Sequence, residues 1–144
     1  MKVREHVISS IPIGVGFYLL SRSIPATVAC VFSTILIDVD HLIDYFLTFG
    51  LKLRIKDFFQ ATRDLRYRKF HLFFHSYELL FLLLFIFAFN RNRILLGFIT
   101  GLGVHLLFDQ CYNPVKSFSY FFIYRLKNSF KKEKIFDLKR VSIL

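Results

Sequence analysis

ILLGFITGLGVHLLFDQCY, residues 94–112, is the stretch on which the reading of the whole chain turns. A helix of about 20 apolar residues spans the hydrocarbon of a bilayer, and this run meets that length with Asp109 as its single formal charge. Gly97, Gly101 and Gly103 make a small-residue stripe, which lets another helix approach closely. His105 and Asp109 are four residues apart and share a helix face. Ionisable groups at membrane depth are costly unless paired or ligated. The same stretch therefore predicts both a spanning helix and a polar site within it, and Asn113-Pro114 ends the helix.

Three further apolar segments lie N-terminal to it. Val7–Leu20 contains Pro12, Gly14 and Gly16 and is short for a span. It has the look of a signal peptide, but Glu5, His6 and the unsuitable cleavage sequence Ser21-Arg22-Ser23 argue against one. The second segment begins at Pro25, suited to a first helical turn, and runs to Phe49 with Gly50 as its stop. The third is Phe70–Phe89. The chain has 144 residues, of which 55% are hydrophobic and 20 are Phe, with a mean hydropathy of +0.49. That is too apolar for a soluble domain of this size. The predicted class is all-α: an integral membrane bundle of about four hydrophobic helices with interfacial amphipathic helices. Residues 1–114 form the bundle, including a basic interfacial segment at 51–69. Residues 115–144 form a basic, aromatic tail along the membrane surface. Cys30 and Cys111 give no disulfide framework; Cys30 reads as a small buried side chain.

The formal charge is +10. With four spans, one side carries Lys2 and Arg4, seven cations between 51 and 69, and eight from Lys116 to Arg140, against Arg22, Arg91 and Arg93 on the other. This asymmetry predicts a multi-pass protein of the inner (cell) membrane with both termini in the cytoplasm. The bilayer is the expected partner. Nucleic acid is not, because the basic residues flank apolar runs and make no separate module.

All five histidines, His6, His41, His71, His75 and His105, lie in or at the ends of apolar segments, with Asp38, Asp40, Asp44, Glu78 and Asp109. In the predicted topology every one falls at the cytoplasmic end of its helix. His71 and His75 are four apart, as are Asp40 and Asp44, and Asp38-x-Asp40-His41 offers ligands on more than one face. Mixed His and carboxylate ligation suits Zn²⁺, Mn²⁺ or Fe²⁺. Asp44 is expected to pair with a loop Arg. His71 and Glu78 read equally as site residues or as satisfied groups of the bundle core, and His6 equally as an interfacial residue.

At Asp38-Val39-Asp40-His41, Phe74-His75-Ser76 and Gly101-x-x-x-His105-x-x-x-Asp109, the chain resembles the membrane-bound, metal-dependent hydrolase family (YdjM-like). Members carry an N-terminal His, an Asp-x-Asp-His, a His-Ser and a late His-x-x-x-Asp. The order and approximate spacing match over residues 6–114. The resemblance implies a helical bundle related in style to zinc-dependent phospholipase C, with His6, Asp38, Asp40, His41, His75, His105 and Asp109 as metal ligands. Where many members have a His-Arg pair, this chain has Phe70 and His71.

The expected function is a membrane-embedded metal-dependent hydrolase acting on a phosphoester or lipid-type substrate at the cytoplasmic leaflet. Asp38 or Glu78 is the candidate general base, and the basic 51–69 segment attracts an anionic substrate. The alternative is a non-enzymatic metal-binding or transport protein. A haem protein is disfavoured by the surplus of Asp.

Overall fold

The computed structural model describes residues 3–141. Lys2, the last three residues of the tail and the side chains of Arg4 and Arg140 lie outside that description. Every regular element among the described residues is helical: α1 (Val3–Ser21), α2 (Ile24–Leu36), a 3-10 turn (Ile37–Val39), α3 (Asp40–Phe49), α4 (Ile55–Arg63), α5 (Tyr77–Asn90), α6 (Arg93–Tyr112) and the short α7 (Phe122–Lys127), α8 (Lys132–Ile135) and α9 (Leu138–Val141). The all-α expectation holds. The chain divides into two compact units, each built from two separate stretches. One comprises the chain up to Ile37 with Tyr77–Asn113; the other comprises Asp38–Ser76 with the chain from Pro114 onward.

The first unit contains α1, α2, α5 and α6. α2 packs on both α1 and α6, and α5 packs on α6. The α2–α6 crossing rests on the glycine stripe. A Cβ at Gly97 would collide with the Ala26 carbonyl, and one at Gly101 with the Ser33 hydroxyl and the Cys30 carbonyl. Only hydrogen at these two positions admits so close an approach. The buried residues of α2 are accordingly small or polar: Ala26, Cys30, Ser33 and Thr34. Its large residues Val28, Phe32 and Leu36 face outward. α5, a run of Leu and Phe, buries none of its residues. Tight turns join α1 to α2 and α5 to α6, with Arg22 (φ 51°) and Arg91 (φ 48°) in the left-handed region. Asn92 then caps α6, its Oδ1 accepting from Ile94 N at 2.8 Å and Leu95 N at 3.3 Å.

Two helical runs, Ile24–Phe49 and Arg93–Tyr112, are long and apolar enough to cross a membrane. Four were expected. α5 is apolar but has only 14 residues, because the expected third segment does not become helical at Phe70. Residues 70–76 are irregular, and helix begins at Tyr77. His71 and His75 therefore sit on a loop and not on a helix face.

The second unit has an aromatic core. Tyr45 contacts Phe49 and Phe58, Tyr67 contacts Phe49 and Phe70, and Phe70 meets Phe136 edge-on at 4.7 Å. α4, in the basic 51–69 segment, is tied to α3 through Tyr45 Oη, which donates to Asp57 Oδ2 at 3.1 Å. Burial pushes the Tyr67 phenol above its usual pKa, so it stays neutral beside Thr62 Oγ1 at 2.8 Å. The chain after Pro114 packs within the second unit. Phe70 N donates to the Phe130 carbonyl at 2.9 Å, Lys132 N to Arg68 O at 3.2 Å and Lys116 N to Ile135 O at 2.9 Å, and Val115 bridges Phe136. Residues 115–136 thus complete the unit that 38–76 begins. Hydropathy missed this because the links are backbone hydrogen bonds, which carry no compositional signal.

Gly101→Val should destabilise the protein by about 3 kcal/mol, since the colliding atoms include helix backbone that cannot yield. Gly16, with open space around its Cα, is the control: Gly16→Ala should raise stability by about 0.5–1 kcal/mol. Thermal unfolding of the two variants in mild detergent reads both signs.

Candidate metal centre

In the second unit the site starts from two carboxylates one helical turn apart on α3. Asp40 and Asp44 are both buried, at 0% and 1% exposure. Such groups must find donors, and both find them in the irregular segment 71–75. Asp44 accepts from His71 N on both oxygens at 3.0 Å and from His71 Nδ1 at 2.7 Å. The expected Arg partner for Asp44 is replaced by this histidine. Asp40 Oδ2 accepts from Phe74 N in a short hydrogen bond, from His75 N at 3.1 Å and from His75 Nδ1 at 3.2 Å. The carbonyl side of the same segment is held by Arg125, a fully buried residue. Its Nη1 donates to His75 O at 2.7 Å and to Ser119 O at 2.8 Å, and its Nη2 donates to Leu72 O at 2.8 Å.

His75 is thus fixed at its amide, its carbonyl and its ring. Because a carboxylate accepts at Nδ1, the proton sits there and Nε2 carries the lone pair. Nε2 lies 3.7 Å from Asp38 Oδ1, and His41 Nε2 lies 3.9 Å from the same oxygen. The His41 and His75 rings are 5.3 Å apart at 56°. These separations are too long for hydrogen bonds. They approach the roughly 3.4 Å that separates ligand atoms around a tetrahedral ion with bonds of about 2.1 Å. Asp38, His41 and His75 offer one ligand atom each, all within 4.8 Å of one another.

The first unit holds a second group. His6 on α1 and His105 on α6 stack with centroids 4.1 Å apart at 14°. Asp109 bridges them, Oδ1 to His6 Nε2 at 3.1 Å and Oδ2 to His105 Nε2 at 3.5 Å. His105 Nδ1 donates to the Thr34 carbonyl at 2.8 Å, which again leaves Nε2 as the basic nitrogen. These three residues are buried, and their ligand atoms also lie within 4.8 Å of one another. The donor sets fit a divalent ion of the Zn²⁺, Mn²⁺ or Fe²⁺ type. One orphaned polar atom of the ligand residues adds to the fit: His6 Nδ1 is buried without a hydrogen-bond partner among the described residues.

The sequence-derived candidates therefore sort into two ligand triads. His6, His105 and Asp109 come together, as do Asp38, His41 and His75. Asp40 holds His75 instead of joining either triad. Asp44 holds His71, which stacks on Phe73 and contacts Phe130. Glu78, the second candidate base, is half-buried in the first turn of α5 and belongs to neither triad. Arg125 was missed; its only sequence signal is a lone cation in the aromatic run 118–126. No family model, curated protein or solved structure matches the chain.

Replacing Asp40 by Asn keeps the shape but weakens the acceptor that orients His75. Metal affinity should fall about 10–100-fold while the helical content is retained, as measured by competition with a chromogenic chelator. Arg125→Met leaves three buried carbonyls without their donor and should cost about 3 kcal/mol or more, read from denaturant or thermal unfolding.

Proposed function

We propose that this chain is a membrane-embedded, metal-dependent hydrolase of phosphoester or lipid-type substrates, of the YdjM-like kind. The observation that carries the catalytic reading is the Asp38, His41 and His75 arrangement. Two imidazole nitrogens converge on one partly exposed carboxylate at 3.7 and 3.9 Å, with the buried Asp40 behind His75 as a carboxylate that raises its basicity. Asp38, His41 and His75 would hold a divalent ion, which would supply Lewis acidity and lower the pKa of a bound water towards neutrality. The chain's own residues do the rest. Asp40 keeps the His75 proton on Nδ1, so the Nε2 lone pair is left free to serve as a ligand. Asp38, with its side chain 16% exposed, accepts the proton of the attacking water. Glu78 has no comparable position in either triad.

The membrane reading rests on an inversion of burial. In α2 the small and polar residues Ala26, Cys30, Ser33 and Thr34 face inward, while Val28, Phe32 and Leu36 face outward; α6 likewise leaves Ile94, Phe98 and Leu107 outward, though it buries Ile99, Leu102 and Leu106 beside Gly97, Gly101, His105 and Asp109. A soluble bundle has the opposite arrangement. α1 and α5 join the two longer runs as further membrane helices in this reading. The Lys/Arg asymmetry orients both termini to the cytoplasm of a multi-pass inner-membrane protein. It sets the ligand-bearing helix ends at the leaflet where lipid phosphoesters are met.

The purified protein in detergent should contain divalent metal and release phosphate or phosphorylated headgroup from lipid phosphoesters, with activity abolished by chelator and restored by Zn²⁺ or Mn²⁺. His41→Ala/His75→Ala should lower activity at least about 100-fold. Unchanged metal content and unchanged turnover in that variant sink the site as assigned. Metal bound in the absence of any hydrolysis would favour the metal-binding or transport alternative, which the complete burial of His6 and His105 also suits. Independently, the expressed protein should stay with the membrane pellet after alkaline carbonate washing; release into the supernatant contradicts the spanning helices.

A further inference from the structure

The second unit contains a concavity that neither triad uses. It measures about 340 Å³ and is walled by Arg66, Arg68, Lys69, Lys131 and Lys132, with Glu133 as the acid among its lining residues. It shares no residue with the metal-ligand triads or with the groups that hold them.

The cations are brought together by backbone, not by chance contact of mobile side chains. Lys69 and Lys131 stand opposite each other in an antiparallel bridge. Hydrogen bonds on either side lock the register, Phe70 N to Phe130 O at 2.9 Å and Lys132 N to Arg68 O at 3.2 Å. Like charges directly opposite across such a pair oppose the pairing, yet the fold keeps them there. Internal compensation is partial. Arg66 is paired with Asp57 at 2.8 Å, and Lys132 Nζ donates to the Leu65 carbonyl at 3.0 Å, which positions its charge without cancelling it. Arg68, Lys69 and Lys131 are exposed and take part in no ion pair among the described residues. One guanidinium and two ammonium groups lining a single concavity make a donor set that matches phosphate oxygens.

We infer that this cavity is an anion site for a phosphate-bearing ligand of two or more negative charges, gripped by Arg68, Lys69 and Lys131. The ligand chemistry is common to an anionic lipid headgroup and to a soluble phosphate compound, so the test carries an arm for each. The full chain is reconstituted in phosphatidylcholine nanodiscs and titrated with inorganic pyrophosphate. In parallel, retention of the loaded discs on beads coated with phosphatidic acid is compared with retention on beads coated with phosphatidylcholine. Binding in either arm is expected, weakened at least about tenfold by Arg68→Gln/Lys69→Gln/Lys131→Gln, reduced by added salt and unchanged by chelator. Pyrophosphate binding alone identifies a soluble ligand, and retention alone a headgroup.

Three results overturn the inference: no binding in both arms, binding that disappears with chelator and so belongs to a metal centre, or equal weakening by Lys52→Gln/Lys56→Gln/Arg63→Gln, which removes the same formal charge away from the cavity. If the first variant loses its helical circular dichroism, the single exposed substitution Lys131→Gln decides. A roughly threefold weakening supports the site, and an unchanged affinity rejects it.

Discussion

Two carboxylates withdrawn from water govern the second unit. Asp40 and Asp44 are buried on one face of α3, and no Lys or Arg pairs with either among the described residues. A buried carboxylate without a cation must collect N–H donors to offset its lost hydration. Both do so from one irregular stretch, whose backbone amides and histidine rings supply the donors. The constraint works in both directions. The carboxylates are tolerable because residues 71–75 stay out of helix and leave their amides available, and those residues stay out of helix because the carboxylates hold them. Arg125 closes the arrangement by taking the carbonyls on the other side. His75 points where it does as a consequence, and with it the Asp38 and His41 group gains its shape.

In the first unit the corresponding constraint is steric. Gly97 and Gly101 bring the α6 backbone onto that of α2, which carries the Thr34 carbonyl to His105. The tautomer of His105 is therefore set by a main-chain atom, made reachable by a missing side chain one turn earlier. α1 then supplies His6 to the same carboxylate. Small residues, the helix crossing and the imidazole state form one chain of cause.

Much of this was legible in the sequence, for identifiable reasons. α6, the run Ile24–Phe49 and the stops at Gly50 and Asn113-Pro114 follow from hydropathy and turn chemistry, which are local. The candidate ligands stood out because His and Asp are costly within apolar runs, and that cost needs no knowledge of partners. The glycine stripe announced the helix contact. What escaped is whatever depends on distant partners. Phe70 to Ser76 is as apolar as the helix that follows, and nothing local says that Asp40 and Asp44 will capture its amides. The stretch after Pro114 looks like a surface tail because basic and aromatic residues favour an interface, while its backbone links to residues 65–70 and its buried Arg125 have no periodicity. Asp38 and Asp40 are two residues apart and chemically identical, so spacing could not say that one faces two imidazole nitrogens and the other orients a ring. Their roles follow from the 3-10 turn that breaks the helix at Ile37–Val39.

Each compact unit is assembled from two stretches separated by the other's chain. This interleaving sets an order of events during synthesis. The helices that present His6 and Thr34 emerge early and pack on each other, but the Thr34 carbonyl waits for His105, 71 residues later. The loop bearing His75 waits in turn, because the guanidinium that secures its carbonyls follows 50 residues later. A ribosome-bound intermediate therefore exposes half-built triads, with imidazoles and carboxylates already made and not yet arranged. Truncation at the N-terminal side cuts into the first unit and truncation at the C-terminal side into the second, so a portion that keeps both units whole is nearly all of this polypeptide.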